Sequence, residues 1–307
     1  MRHVVGVVAT VMTLLVGIPG PGYVRAAPAG TAGSFEDGLA AYRAGDLDRA
    51  RQIWLPLAER GDVVAQNNLG AMADADGSAH DPAAAASWYG KAAAGGYAVA
   101  QHNLAVMYEK GRGVAQDYAL ARRWYGAAAA QGDAEAMTNL GLMQYRGQGG
   151  AKDPKAAIET FTRAAKLGSV KAAYDLGTLL EHGDGVAADL SAAASWYRQA
   201  ADGNYAPAQS SLGLLYAKGN GVKQDFAMAI EEFRRAAAQG DAKGQYLLAI
   251  GYRYGTGVAQ DPAIALQWFA RAAAQGYGDA AQQRDAVAAT MSRDDVAKAL
   301  AQASKGP

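Results

Sequence analysis

The sequence predicts an all-α fold, a right-handed alpha-alpha superhelical solenoid of helix hairpins. Three observations predict it. Alanine and leucine recur at a spacing of 36 residues, as in Ala100/Leu104, Ala136/Leu140 and Ala172/Leu176. A glycine-rich turn follows each pair: Gly111-Arg-Gly113-Val114, Gly147-Gln-Gly149-Gly150 and Gly183-Asp-Gly185-Val186. An aspartate then falls at constant offset, at Asp117, Asp153 and Asp189, before a ring, an Ala-Ala pair and a closing glycine (Gly132, Gly168, and Gly203 one residue early). A unit of this size cannot bury its own apolar face, so it stacks on its neighbours.

Residues 1–29 read as an export signal. Met1-Arg2-His3 is basic, Val4 to Ile18 is almost wholly apolar, and small residues at Val24-Arg-Ala26 and Ala27-Pro-Ala29 offer cleavage patterns. The apolar run is shorter than the ~20 residues a membrane span needs. No stable span is expected after cleavage, and the expected location is periplasmic or secreted. Residues 30–62 read as a degenerate hairpin, with Gly45-Asp46 at its turn and Ala50, Trp54 and Ala58 on its second helix.

Six full repeats follow over 63–276, each a helix A, a turn and a helix B. Leu104 and Tyr108 share one face of helix A. Glycine recurs one residue after that leucine, at Gly70, Gly141, Gly177 and Gly213, with Ala105 and Ala249 in the other two repeats. A glycine inside a helix costs ~1 kcal/mol against alanine, so its recurrence implies a close approach, expected against helix B. Asp81, Asp117, Asp153, Asp189, Asp225 and Asp261 precede helix B at constant spacing. Six equivalent aspartates argue for helix caps rather than one catalytic or metal site, and proline follows three of them at the first helical position. In helix B, Tyr125, Phe161, Tyr197, Phe233 and Phe269 hold the ring position kept in every repeat and should be core. The tryptophans before some of them should cover the neighbouring repeat. Residues 277–307 read as capping helices and tail, with Ser292 as an N-cap.

Composition narrows the function classes. Lys+Arg and Asp+Glu are both 29; removing Arg2 and Arg25 leaves 27 against 29, a net charge near −2. With no basic block, no nucleic-acid partner is expected. The absence of cysteine removes disulfides, thiol catalysis and cysteine zinc sites. No cofactor is expected: no Gly-x-Ser-x-Gly, His-Glu-x-x-His or lysine-type phosphate loop is present.

The pattern Ala-x3-Leu-Gly-x2-Tyr-x2-Gly-x-Gly-Val-x2-Asp-x3-Ala is seen at Ala208, Leu212, Gly213, Tyr216, Gly219, Gly221, Val222, Asp225 and Ala229. Phe233, Ala236, Ala237 and Gly240 complete it. It resembles the Sel-one-like repeat (SLR) family, relatives of the tetratricopeptide repeats. Gly150 in place of the turn valine and Gly244 in place of the opening alanine depart from it. The resemblance implies a non-enzymatic interaction scaffold or regulatory adaptor of the bacterial envelope. It also implies that the A helices line an inner face. By phase, that face presents His102, Tyr145, Arg146, Tyr174, His182, Tyr246, Arg253 and Tyr254 as partner-binding residues. Tyrosine and arginine are enriched at protein interfaces, so a protein or peptide is the expected partner. A polysaccharide or peptidoglycan is the alternative, since tyrosines stack on sugars. A cell-wall hydrolase would need two carboxylates ~5–9 Å apart. The inner-face candidates Glu109, Glu135 and Glu181 are scattered by the repeat. His102 and His182 lie two repeats apart, so no metal site is expected.

Overall fold

A computed structural model describes residues 34–75 and 80–305, and the export segment assigned to residues 1–29 lies outside the described residues. Sixteen helices and no strand form among the described residues. The chain is an all-α solenoid of paired helix hairpins. It divides into two compact units, residues 1–163 and 164–307.

In the first unit, α1 (Phe35–Arg43) and α2 (Leu47–Glu59) form a hairpin. Ser34 and Asp37 close a reciprocal capping box at its start. Trp54 is fully buried, stacks on Phe35 and Tyr42, and donates its indole N–H to the Phe35 carbonyl at 3.2 Å. Then come α3 (Val63–Asp74), α4 (Pro82–Ala94), α5 (Ala98–Lys110), α6 (Tyr118–Ala130) and α7 (Ala134–Arg146). Helix α8 (Pro154–Lys166) carries the boundary between the units. The second unit continues with α9 (Val170–His182), α10 (Leu190–Asp202), α11 (Ala206–Lys218), α12 (Phe226–Ala238), α13 (Ala242–Tyr254) and α14 (Pro262–Ala274). It finishes with α15 (Ala280–Ala288) and α16 (Arg293–Ala303).

The helices alternate A and B from α3 to α14. All but α3 of these twelve are 13 residues long, so equivalent residues keep one phase. All six recurrent aspartates cap helix B. Each accepts the backbone N–H three residues on, at 2.8 to 3.0 Å. Each also donates its own N–H to a carbonyl near the end of helix A, as Asp117 does to Tyr108 at 2.9 Å. One residue therefore stops the turn, starts helix B and fastens it to helix A.

The core lies between A and B within each repeat. A methyl on Gly70, Gly141, Gly177 or Gly213 would meet the Tyr89, Phe161, Tyr197 or Phe233 ring at 2.8, 2.7, 2.7 or 2.5 Å. The close approach expected of these glycines is to the B-helix ring, whose exposure is 5% or less in every repeat. Trp124 and Trp268 are half-buried and reach into the core of the preceding repeat. In the fourth repeat the closing turn departs from the pattern. Asn204, not Gly203, takes the left-handed conformation, with φ 61°. Asparagine is among the few residues that tolerate this region. Ser292 caps α16 through the Asp295 N–H at 3.2 Å.

Candidate functional site

The candidate site is the inner face of the A helices, and each of its residues is placed by a position in the repeat. The position two before the leucine holds His102, Tyr174, Ser210 and Tyr246. Each of these meets the residue 31 further on, at the start of the next A helix. His102 donates Nδ1–H to the Asp133 carboxylate at 3.2 Å and packs edge-on against Tyr125. Ser210 donates to Asp241 at 2.6 Å. Tyr174 packs on Tyr205 and Tyr197 with ring centroids 5.3 and 5.6 Å apart. Tyr246 packs on Tyr277 and Phe269 at 5.5 and 5.6 Å. The position is a joint between consecutive repeats. In these four, the donors His102 and Ser210 face aspartate and Tyr174 and Tyr246 face tyrosine.

Electrostatics follow the joint. Burial pushes the Asp133 carboxyl up, but hydrogen bonds from His102 and the Ala136 N–H outweigh it and hold the group below the ordinary carboxylate value. Burial and a hydrogen bond to Asp279 push the Tyr246 phenol up to about 12.

The position five after the leucine has a second rule. Tyr125 donates its hydroxyl to Glu109 at 2.7 Å, and Tyr197 donates to Glu181 at 2.7 Å. In the first repeat, the charge of Asp74 joins burial in raising the Tyr89 phenol. Where the ring is phenylalanine (Phe161, Phe233, Phe269), the A helix carries Tyr145, Ala217 or Arg253 instead. A carboxylate therefore accompanies a ring hydroxyl, as a buried donor requires. This gives Glu109 and Glu181 a packing role.

The eight sequence-derived residues divide by exposure. His102 is 14% exposed and belongs to a joint, as do half-buried Tyr174 and Tyr246. Tyr145 is half-buried beneath the Lys152 ammonium, 5.0 Å from its ring. Arg253 donates to Gln283 and stands 5.1 Å over Tyr254. Arg146, His182 and Tyr254 are exposed, Tyr254 by 61%. These three occupy one position, the last residue of an A helix, and exposed Lys110 and Lys218 hold the same place.

Sequence reasoning missed the joint partners Asp133, Tyr205, Asp241 and Tyr277. It also missed a glutamine pair, Gln131 Nε2 to Gln101 at 2.9 Å, Gln239 to Gln209 at 2.7 Å and Gln275 to Gln245 at 2.9 Å. Their recurring signatures, Ala-Gln (Gly-Gln at Gln245) and Ala-Gln-Gly, were visible, but nothing in either points to the other until the two are paired. Among the described residues no group of three histidines, cysteines or carboxylates could hold a metal ion, and no helix is long and apolar enough to cross a membrane.

Comparison with known proteins agrees with this geometry. The Sel1 repeat model matches residues 63–97, 98–133, 134–169, 170–205, 206–241 and 242–277. A Sel1 repeat protein from Oxalobacter formigenes is 30% identical, with a TM-score of 0.67, over 78% of this chain and 96% of that one. A protective antigen of uropathogenic Escherichia coli with an SLR fold is 29% identical, with a TM-score of 0.55, over 86% of this chain and 66% of that one. No curated protein matches the chain in sequence. The chain belongs to the Sel1 repeat family.

Proposed function

We propose that this Sel1 repeat protein is a non-enzymatic scaffold or regulatory adaptor that holds a protein partner of the cell envelope on the inner face of its A helices. The observation that carries the reading is an exposed residue recurring at the A-helix ends within each unit. Lys110 and Arg146 stand in the first unit, and His182, Lys218 and Tyr254 in the second. The recurrent aspartates, buried rings, joints and Glu109 and Glu181 all have packing roles, while these ends stay exposed to solvent. Their charge favours an acidic segment, with Tyr254 beside it as an aromatic anchor. In the first unit His102 and Tyr145, and in the second Tyr174, Tyr246 and Arg253, lie on the same A helices as these ends. The basic opening, apolar run and small residues of 1–29 support a place in the envelope.

The test is capture of envelope proteins by the wild type and by Arg146→Ala/His182→Ala/Tyr254→Ala. Exposed positions shift stability within ~0.5 kcal/mol, so melting should hold while capture is lost, and the salt sensitivity of wild-type capture should fall in Arg146→Ala alone. Capture that survives the triple change but fails after changes on the outer B-helix face would move the site. The 61% exposure of Tyr254 favours a second reading, a glycan stacked on that ring. Retention on peptidoglycan or capsular polysaccharide in place of protein capture would select it.

A further inference from the structure

Four repeats carry a seat for the turn of the next. The second turn glycine of four repeats lies against the first carbonyl of the preceding B helix. Gly113 meets Pro82, Gly149 meets Tyr118, Gly221 meets Leu190 and Gly257 meets Phe226. A side chain at any of these glycines would collide with that carbonyl, and all four have φ between 69° and 73°. The seat therefore recognises main chain: a turn that brings a left-handed glycine flush against the helix start.

The sixth B helix begins in the same way, with Asp261 as cap and Pro262-Ala263 as its first residues. Residues 277–305 supply no Gly-x-Gly turn. Helix α15 ends at Ala288 and α16 is already capped by Ser292, and the short connection brings Thr290 and Met291 beside Pro262 with no glycine turn. A cavity of about 500 Å³ remains there, lined by Asp261, Pro262 and Ala263 on one side and by Met291, Asp295 and Lys298 on the other. Here a cavity stands where the four filled seats hold a glycine.

We infer that this cavity is a docking site for a glycine turn of Gly-x-Gly-Val type presented by another protein. Its recognition is set by the four filled seats: the turn backbone lies against the Pro262 carbonyl. Met291 offers an apolar contact for the residue after the second glycine. Lys298 and Asp295 supply a donor and an acceptor for the turn's outward peptide groups. The site stands on helices α14 and α16, away from the A-helix ends, so it does not depend on the scaffold reading above.

The probe is a fluorescent cyclic peptide copying Tyr254 to Pro262, titrated into the full chain and followed by anisotropy. Saturable binding is expected, and it should be lost when the peptide carries alanine in place of Gly257. It should also be lost in the Ala263→Leu protein, which fills the seat. Gln267→Trp fills the same cavity from a different position and serves if Ala263→Leu fails to fold by circular dichroism. No binding to the wild type, equal binding of the alanine peptide, or binding unchanged in a folded filled-seat variant would each overturn the inference. A concentration-dependent dimer abolished by Ala263→Leu would overturn it too, since the occupant would then be a second copy of this chain.

Discussion

The joint between the second and third repeats and the joint between the fourth and fifth use the same two positions, filled with different chemistry. The first is polar: His102 bonds to Asp133, which also caps the next A helix. The second is aromatic: Tyr174 packs on Tyr205, and Tyr205 stands at the N-cap without capping through its side chain. Both rest on a buried tyrosine of the earlier repeat, Tyr125 or Tyr197, whose hydroxyl is held by a glutamate. The backbone spacing is thus set by what the joints share. The pair on top tunes sensitivity to pH and the direction of the contact.

The largest expected effect tests the shared part. Tyr125→Ala and Tyr197→Ala should each cost ~3–5 kcal/mol in denaturant melts, because each empties a fully buried ring site. A large loss at one and a small loss at the other would break the equivalence of the two joints. Next comes the polar joint itself. Asp133→Ala removes a cap and a partner of His102, so it should cost ~2 kcal/mol, against ~1 kcal/mol for Asp117→Ala, which removes a cap alone. Equal losses would mean that the His102 contact contributes nothing.

The aromatic joint should show a smaller, separable coupling. A double-mutant cycle on Tyr174 and Tyr205 should return ~0.5–1.5 kcal/mol, the range for paired rings. A coupling of zero would reduce the joint to coincident burial. The smallest effect is the pH response. The Asp133 carboxyl is held below its ordinary value of 3.8, so its stabilisation is present above that value in the unfolded chain. It is lost as pH falls through the folded value. Melts of the wild type and Asp133→Asn should therefore converge as pH drops below about 4, and Tyr174→Ala should keep a constant offset over the same range. An offset for Asp133→Asn that does not change with pH would refute the ionic character of the polar joint.

These joints also mark where sequence reading stopped. Gly70, Gly141, Gly177 and Gly213 were legible because glycine recurs at one phase of helix A, and the six caps because aspartate never varies. His102 and Tyr174 were legible as positions on the A helix but not as joint residues. Their partners lie 31 residues away, out of step with the 36-residue phase, and differ in chemical type from joint to joint. A comparison at fixed phase sees histidine, threonine and tyrosine in one column and reads variable surface. Exposure at Arg146, His182 and Tyr254 was legible from phase alone, since the last residue of an A helix precedes the turn glycine and has no helical turn above it.

The repeated seat under each turn has a consequence for how such chains change over time. Four repeats share the same socket and the same plug, so a crossover between two of them at matching positions keeps the turn contact even where the joint residues differ. Whole modules of 36 residues can be gained or dropped while the remaining ones keep their fit. A fractional insertion inside an A or B helix would instead rotate the glycine away from its ring. The length of the array is therefore free to drift in whole steps, and the residues at the A-helix ends are reshuffled with each step, so new surfaces arise by copying before any substitution is needed.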